Sequence, residues 1–271
     1  MNENIIEKFK EYDEVILELK EKNYLFEKEM DLMKSFIIKS SHFIDDNLNY
    51  CPICGNFSNF KSFGITHRSK ALCPHCNSLE RHRFIYFLFY KRFGYVLDNS
   101  IKVLHFAPEI LFYNLFKNKK NIDYFPVDLN PEIYENRNIH IRDKIDMENI
   151  VYDDNSFDFI YHGHVLEHIP NDLKAMGELY RVLKDDGVCV TSAPVFNIPQ
   201  TIEKEEYNTP ELRLIHYGQE DHLRKYGLDF SQRLESVGFN VEEVSVSEII
   251  PSPIERELYG IRNDRVYICT K

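Results

Sequence analysis

Two cysteine pairs, Cys51 with Cys54 in CPIC and Cys73 with Cys76 in CPHC, stand 18 residues apart in the chain. Thiolates spaced by two residues on a tight turn reach one metal ion, and two such pairs supply a tetrahedral sulfur set for zinc. A redox CxxC is the alternative, but that chemistry needs no matching second pair. Each pair runs into a turn-forming residue, Gly55 and Asn77, as a metal knuckle requires. Four protein ligands leave no position for water, so the expected zinc is structural. His67, His75 and His82 lie nearby and read as surface residues. Cys189 and Cys269 sit in the apolar runs GVCVTSAP and RVYICTK, where a buried inert thiol is the ordinary case.

A second concentration of chemistry is TIEKEEYNTPELRLIHYGQEDHLRKYG, residues 201–227, which gathers Glu203, Arg213, His216, Tyr217, Gln219, Asp221, His222, Arg224 and Tyr226. Such side chains supply directional hydrogen bonds and acid–base function, which favours an acceptor-binding lid over the alternative, a solvated polar loop.

These groups need elements to hold them. From residue 101 the chain alternates strands and helices, with strands expected at 101–107, 121–129, 138–142, 157–163, 187–194, 240–246 and 265–270. A helix over 171–184 opens on Asn171 as its cap, and SLERHRFIYFLFYKRFG and LDFSQRLESVGF supply others. Alternation of this kind implies an α/β fold, a Rossmann-like, seven-stranded doubly wound sheet with its crevice at the carboxyl ends of the strands. Asp128 ends the second strand, where such a sheet places an acid on ribose hydroxyls. Upstream, Ile5, Phe9, Tyr12, Ile16, Leu19, Asn23, Phe26, Met30, Met33 and Ile37 follow a strict 4,3 spacing. The period favours a coiled coil over a helix lying on its own domain, and with Asn23 at an a position it predicts a parallel homodimer. The expected organisation is a coiled-coil segment over 1–45, a small zinc-ribbon knot over 46–83 and the Rossmann-like domain over 84–271, with the lid at about 197–227.

The charge, 33 basic against 44 acidic residues for a net −11, argues against a general phosphate-binding surface and so against a nucleic-acid partner. No run of 18 apolar residues occurs and the first residues are too charged for a signal peptide, so a soluble cytoplasmic protein with no membrane partner is expected. In that reducing compartment the cysteines stay thiols.

Asp128, Asp146 after the third strand, DNSFDFIYHGHVLEHIPN around the fourth, and ELYRVLKDDGVCVTSAP into the fifth form an ordered set. This set resembles the class I S-adenosylmethionine-dependent methyltransferases over residues 101 to about 195. A smaller group is similar over residues 51 to about 245, through the CxxC pairs, SLERHR, HFAPE, HVLEH and GQEDHLRKYG; its members look like methyltransferases of small-molecule or carbohydrate-type acceptors. The resemblance implies S-adenosylmethionine as cofactor, with Asp128 and Leu129 at the ribose and Asp146 with Met147 at the adenine. His162, Gly163 and His164 would line the methionine and transfer end. The first strand of such enzymes leads into a glycine-rich turn. Here VLHFAPEIL has no glycine: His105 stands where an acid is usual, and Ala107 and Glu109 stand at the first two glycine positions.

Methyl transfer from a sulfonium is a direct displacement that requires alignment and, for a hydroxyl acceptor, removal of a proton; no metal is required. His222 is the first candidate base, with Asp221 as a potential orienting partner and His162 or His164 next in line. Arg224 suits a phosphate or carboxylate on the acceptor, Gln219 and Tyr226 suit its hydroxyls, and Arg213 is a further substrate-binding candidate in the lid. Glu167 and His168 read as residues that bond to backbone at a helix start. Two rival functions are a zinc-ribbon RNA methyltransferase or nucleic-acid module using Arg81, His82 and Arg83 on phosphates, and an inactive scaffold with a degenerate cofactor site.

Overall fold

The computed structural model describes residues 48–271, so the coiled-coil expectation for the first 45 residues lies outside the described residues. The chain divides into two compact units: one runs to Tyr95 and takes in Ile249–Arg262, the other comprises Val96–Glu248 and Asn263–Lys271. The division places the helix Glu80–Arg92 with the cysteine hairpins, where the sequence reading had started the Rossmann-like domain at residue 84.

In the first unit, β1 (Asn49–Cys51) pairs antiparallel with β2 (Asn56–Ser58), and β3 (Lys61–Phe63) with β4 (Arg68–Leu72). Gly55 and Asn77 adopt left-handed conformations at φ +72° and +58°, and their N–H groups close turns onto the carbonyls of Cys51 (2.8 Å) and Cys73 (2.9 Å). These turns bring each cysteine pair to one side of its knuckle. Arg83 is fully buried and donates to the carbonyls of Ser78, Ala71, Tyr259 and Gly260, its guanidinium 4.5 Å from the centre of the Phe60 ring. His82 is buried too, and its Nδ1 accepts from the Leu79 N–H at the start of the helix. The reading of these two residues as phosphate contacts, and of His82 as a surface residue, is therefore corrected. A long side chain in a small unit is more useful crosslinking carbonyls that would otherwise be buried unpaired.

In the second unit, β5 (Ile101–Phe106), β6 (Ile122–Asp128), β7 (Asp143–Lys144), β8 (Phe157–Gly163), β9 (Leu183–Ser192), β10 (Asn240–Ser245) and β11 (Arg265–Thr270) form one sheet in the order β10-β11-β9-β8-β5-β6-β7. Strands β5 to β9 run parallel, and β11 is antiparallel to both β9 and β10. Central β5 and β8 read as near-continuous apolar runs because both faces of a parallel sheet are covered. The core joins Leu104, Val127, Ile160 and Cys189 of the sheet to Ala175, Met176, Leu179 and Val182 of the helix Asp172–Val182. Those four positions share one face at helical spacing, and Asn171 caps the helix by accepting from the Lys174 N–H at 3.0 Å.

Two strands depart from the sequence reading by more than two residues. The third strand is the two-residue β7, not 138–142, because Ile139 turns into a side cluster with Tyr113 and Tyr134 instead of extending along β6. The fifth strand begins at Leu183: the register against β8 jumps from Phe157↔Leu183 to Phe159↔Val188, so the expected tight turn is a bulge inside β9. Among the described residues, no helix is long and apolar enough to cross a membrane.

Candidate active site

The ends of β5, β6 and β8 open into a cavity of about 470 Å³, lined by Ala107, Asp128, Leu129, Asp146 and Met147 together with Phe106, Asn130, Ile145, Glu148 and the turn residues Val165, His168, Ile169 and Pro170. Five sequence-predicted cofactor residues thus share one wall of residues. Each element delivers its part at a strand end, where the backbone leaves the sheet and side chains are released from packing. Ala107 leaves β5 at φ +48°, in the left-handed region usually left to glycine, and its N–H bonds the Val127 carbonyl at 3.0 Å. The backbone shape of a glycine turn is kept without the glycine.

Asp128 Oδ1 accepts from the Asn130 N–H at 2.7 Å and Oδ2 from the Tyr134 hydroxyl at 2.9 Å. Each carboxylate oxygen has a further lone pair for a ligand hydroxyl. Asp146 Oδ1 accepts from the Glu148 N–H, which shapes the turn that carries buried Met147. At Gly163 a β-carbon would stand 3.1 Å from the Ser192 and Tyr161 hydroxyls and 3.3 Å from Glu109 Oε1, so glycine there keeps a polar cradle open. Glu109 Oε2 also lies 3.4 Å from Nε2 of buried His105, whose Nδ1 meets the Tyr124 hydroxyl at 2.8 Å.

His162, on β8, is fully buried, with Nδ1 3.5 Å from the Thr191 hydroxyl and Nε2 without a partner. Burial pulls its imidazole down to about 4, so it stays neutral. His164 follows at φ +57°, its Nδ1 3.3 Å from Glu167 Oε1. Neither histidine lines the cavity.

The residues of 201–227 divide sharply. Arg224 is 1 % exposed and donates to the carbonyls of Leu166, Ile169 and Pro170 and to the Glu203 carboxylate. Tyr226 is buried with its hydroxyl on Asp172 Oδ2 at 2.7 Å. Both were expected to touch the acceptor; instead they close buried networks, and burial of a full guanidinium demands this many acceptors. Gln219 is exposed and donates to Asp221 Oδ1 at 2.7 Å. Asp221 Oδ2 lies 3.2 Å from His168 Nδ1, so the histidine it orients is His168 and not its chain neighbour His222. Arg213 is half-buried on the helix Pro210–Tyr217, its Nε without a hydrogen-bond partner.

His222 is 8 % exposed, its Nδ1 buried without a partner and its ring edge-on to His168 with centroids 4.8 Å apart. Burial lowers its proton affinity. Glu167 is fully buried; burial alone would raise its carboxyl, but His164 and His168 outweigh that and hold it below the usual range. It caps no helix: Asn171 does that, and neither Glu167 oxygen accepts a hydrogen bond. Here the sequence reading missed a cluster. The signal was present as HVLEH followed by the histidine of GQEDH, a His-x-x-Glu-His set completed from the lid.

Remote from this crevice in sequence, the four cysteines bring their sulfurs within 4.8 Å of one another, with Cys51–Cys76 at 3.5 Å and Cys54–Cys73 at 3.8 Å and no disulfide among them. A tetrahedron with zinc–sulfur bonds of about 2.3 Å has edges of about 3.8 Å. The Cys51 thiol and the Ser78 hydroxyl pull Cys76 down to about 4, while the contact with Cys76, and burial after it, push Cys51 up.

The sheet is open and its last strand antiparallel, an α/β arrangement whose ligand crevice lies at the carboxyl ends of the parallel strands. Residues 111–191 match the family described as "Methyltransferase domain". Demethylmenaquinone methyltransferase of Staphylococcus epidermidis is 44 % identical over 52 residues, 18 % of this chain and 22 % of that protein, so the chain spans under a quarter of the length of the curated relatives it matches. Among solved structures, a SAM-dependent methyltransferase from Archaeoglobus fulgidus has a TM-score of 0.46 at 17 % identity, covering 69 % of this chain and 93 % of that one. YcgJ from Bacillus subtilis has a TM-score of 0.42 at 15 % identity, covering 66 % and 97 %.

Proposed function

We propose that the protein transfers a methyl group from S-adenosylmethionine to an oxygen of a small-molecule or carbohydrate-type acceptor. The observation that carries this reading is the single cavity that holds the Asp128 carboxylate at one wall and His168, with the Glu167 and His222 cluster behind it, at another. Its volume of about 470 Å³ lies in the range of about 300–1,000 Å³ usual for ligand pockets. When bound, the cofactor supplies an electrophilic methyl on a sulfonium, and the protein has only to align the acceptor and take its proton. Asp128 would accept the ribose hydroxyls, Asp146 and Met147 would flank the adenine, and Glu109 beside Gly163 would take the methionine ammonium. At the far wall the acceptor proton would pass to the histidine cluster, where His222 is neutral because it is buried. Of the two lid arginines named for a carboxylate or phosphate on the acceptor, Arg213 would take that role, since Arg224 is fully engaged. The four cysteines would hold one structural zinc, and a nucleic-acid partner is disfavoured because, of the cluster Arg81, His82 and Arg83, the last two are buried.

Calorimetry with S-adenosylmethionine tests the cofactor half. Asp128→Ala should weaken binding by one to two decades, the equivalent of about 1.5–3 kcal/mol for charge-assisted hydrogen bonds. An unchanged dissociation constant rejects the pocket assignment.

A further inference from the structure

We infer that Glu167, His168 and His222 form a binding site for a divalent first-row transition cation at the wall of the cavity. Each offers one ligand atom, and these atoms all lie within 4.8 Å of one another. The buried, unpartnered atoms point the same way. Glu167 has no exposed surface and neither oxygen accepts a hydrogen bond; His222 Nδ1 is likewise buried and unbonded. An isolated buried carboxylate costs several kcal/mol unless something compensates it. His164 Nδ1 approaches Oε1 at 3.3 Å, a single ion-pair contact for a carboxylate whose two oxygens are both buried and unbonded. A cation shared by the carboxylate and two imidazoles would satisfy all these atoms together.

The surroundings hold the cluster in place. Asp221 lies 3.2 Å from His168 Nδ1, an outer carboxylate that fixes the proton on that nitrogen and leaves the lone pair on Nε2, as metal-binding histidines require. The turn carrying Glu167 is tied to the segment carrying His222 by the Leu223 N–H on the Glu167 carbonyl at 2.8 Å and by Arg224 on the carbonyls of Leu166, Ile169 and Pro170. Two imidazoles and a carboxylate suit manganese, iron(II), cobalt or zinc better than calcium or magnesium, whose sites are built from oxygen. Three protein ligands also leave open positions, unlike the closed four-cysteine set. Because His168 lines the cavity, and resting here on the methyl-transfer reading above, the cation would acidify an acceptor hydroxyl at an open position, its proton would leave to solvent, and His168 and His222 would serve as ligands in place of the proton acceptor named above.

The test uses manganese(II) alone, which thiolates bind poorly, on the full chain already loaded with zinc and without cofactor or acceptor. Loss of the free-ion electron paramagnetic resonance signal should report one manganese per chain. Glu167→Gln and His222→Asn should each weaken it at least tenfold while the circular dichroism spectrum is kept. Absence of binding at about 1 mM, or unchanged affinity in both variants, overturns the site. Should either variant misfold, electron spin-echo modulation of the wild-type complex decides: coupling to imidazole nitrogen is expected, and its absence overturns the proposal. Failure here leaves the Asp128→Ala result untouched, and failure there leaves manganese binding untouched.

Discussion

Ala107 is where residue chemistry and backbone geometry disagree most plainly. At φ +48° an L side chain costs about 1–2 kcal/mol relative to glycine. Glycine would remove that strain but lose about 0.4–1 kcal/mol through the freer unfolded chain. Ala107→Gly should therefore raise stability by up to about 1 kcal/mol, seen in scanning calorimetry as a rise of about 2–4 °C. A lower melting temperature would mean that the methyl group packs favourably against the cavity wall. The same scale separates residues whose type was legible from those whose role was not. Asp128 and the cysteines stand at positions defined by chain spacing alone. Arg83 and Arg224 look like anion binders in sequence, and only their burial among carbonyls shows them as crosslinks.

At the scale of elements, the turn between β8 and the helix Asp172–Val182 depends on Arg224. Arg224→Lys keeps the charge but cannot serve three carbonyls and a carboxylate at once. Breaking a buried network of this kind costs about 3–5 kcal/mol when the charge is stranded, and a retained ammonium should bring that to about 2–3 kcal/mol. The melting temperature should fall by about 5–10 °C. A variant that melts with the wild type and only raises KM for an anionic acceptor would restore Arg224 to the acceptor site. The cysteine hairpins are the second element under test. X-ray absorption of the zinc-loaded protein should show a sulfur shell at about 2.3 Å, lost in Cys73→Ser, with limited proteolysis then cutting within residues 48–78. A sulfur shell that survives the substitution would exclude the four-cysteine set.

For the whole molecule the informative variable is acid. His162 is fully buried and its pKa is lowered from the free value of 6.5 to about 4. Between those values the unfolded chain takes up a proton that the folded chain refuses, so this histidine's share of stability is present above pH 6.5 and is lost as pH falls toward 4. Glu167 and Glu109 oppose the shift and His105 adds to it, but desolvation is the largest cause. His162→Gln should flatten the decline in denaturant midpoint between pH 6.5 and 4, compared with the wild type at each pH. Equal slopes in the two proteins would show that the acid sensitivity arises elsewhere.

By itself the sequence determined the parts governed by short-range rules. Strand β8 matches its expected bounds, Asn171 caps its helix, and the knuckle turns at Gly55 and Asn77 form as their residue types demand. These follow from periodicity, hydrogen-bond capping and allowed dihedral angles, all of which act within a few residues. The short β7, the bulge in β9 and the return of Ile249–Arg262 to the first unit were decided by packing between distant segments. So were the roles of the polar residues in the lid. Asp221 is adjacent to His222 in the chain yet pairs with His168, and Glu167 meets His222 across 55 positions. Only tertiary structure could decide them, because a side chain's proton affinity and partners depend on what surrounds it in space, and burial changes both.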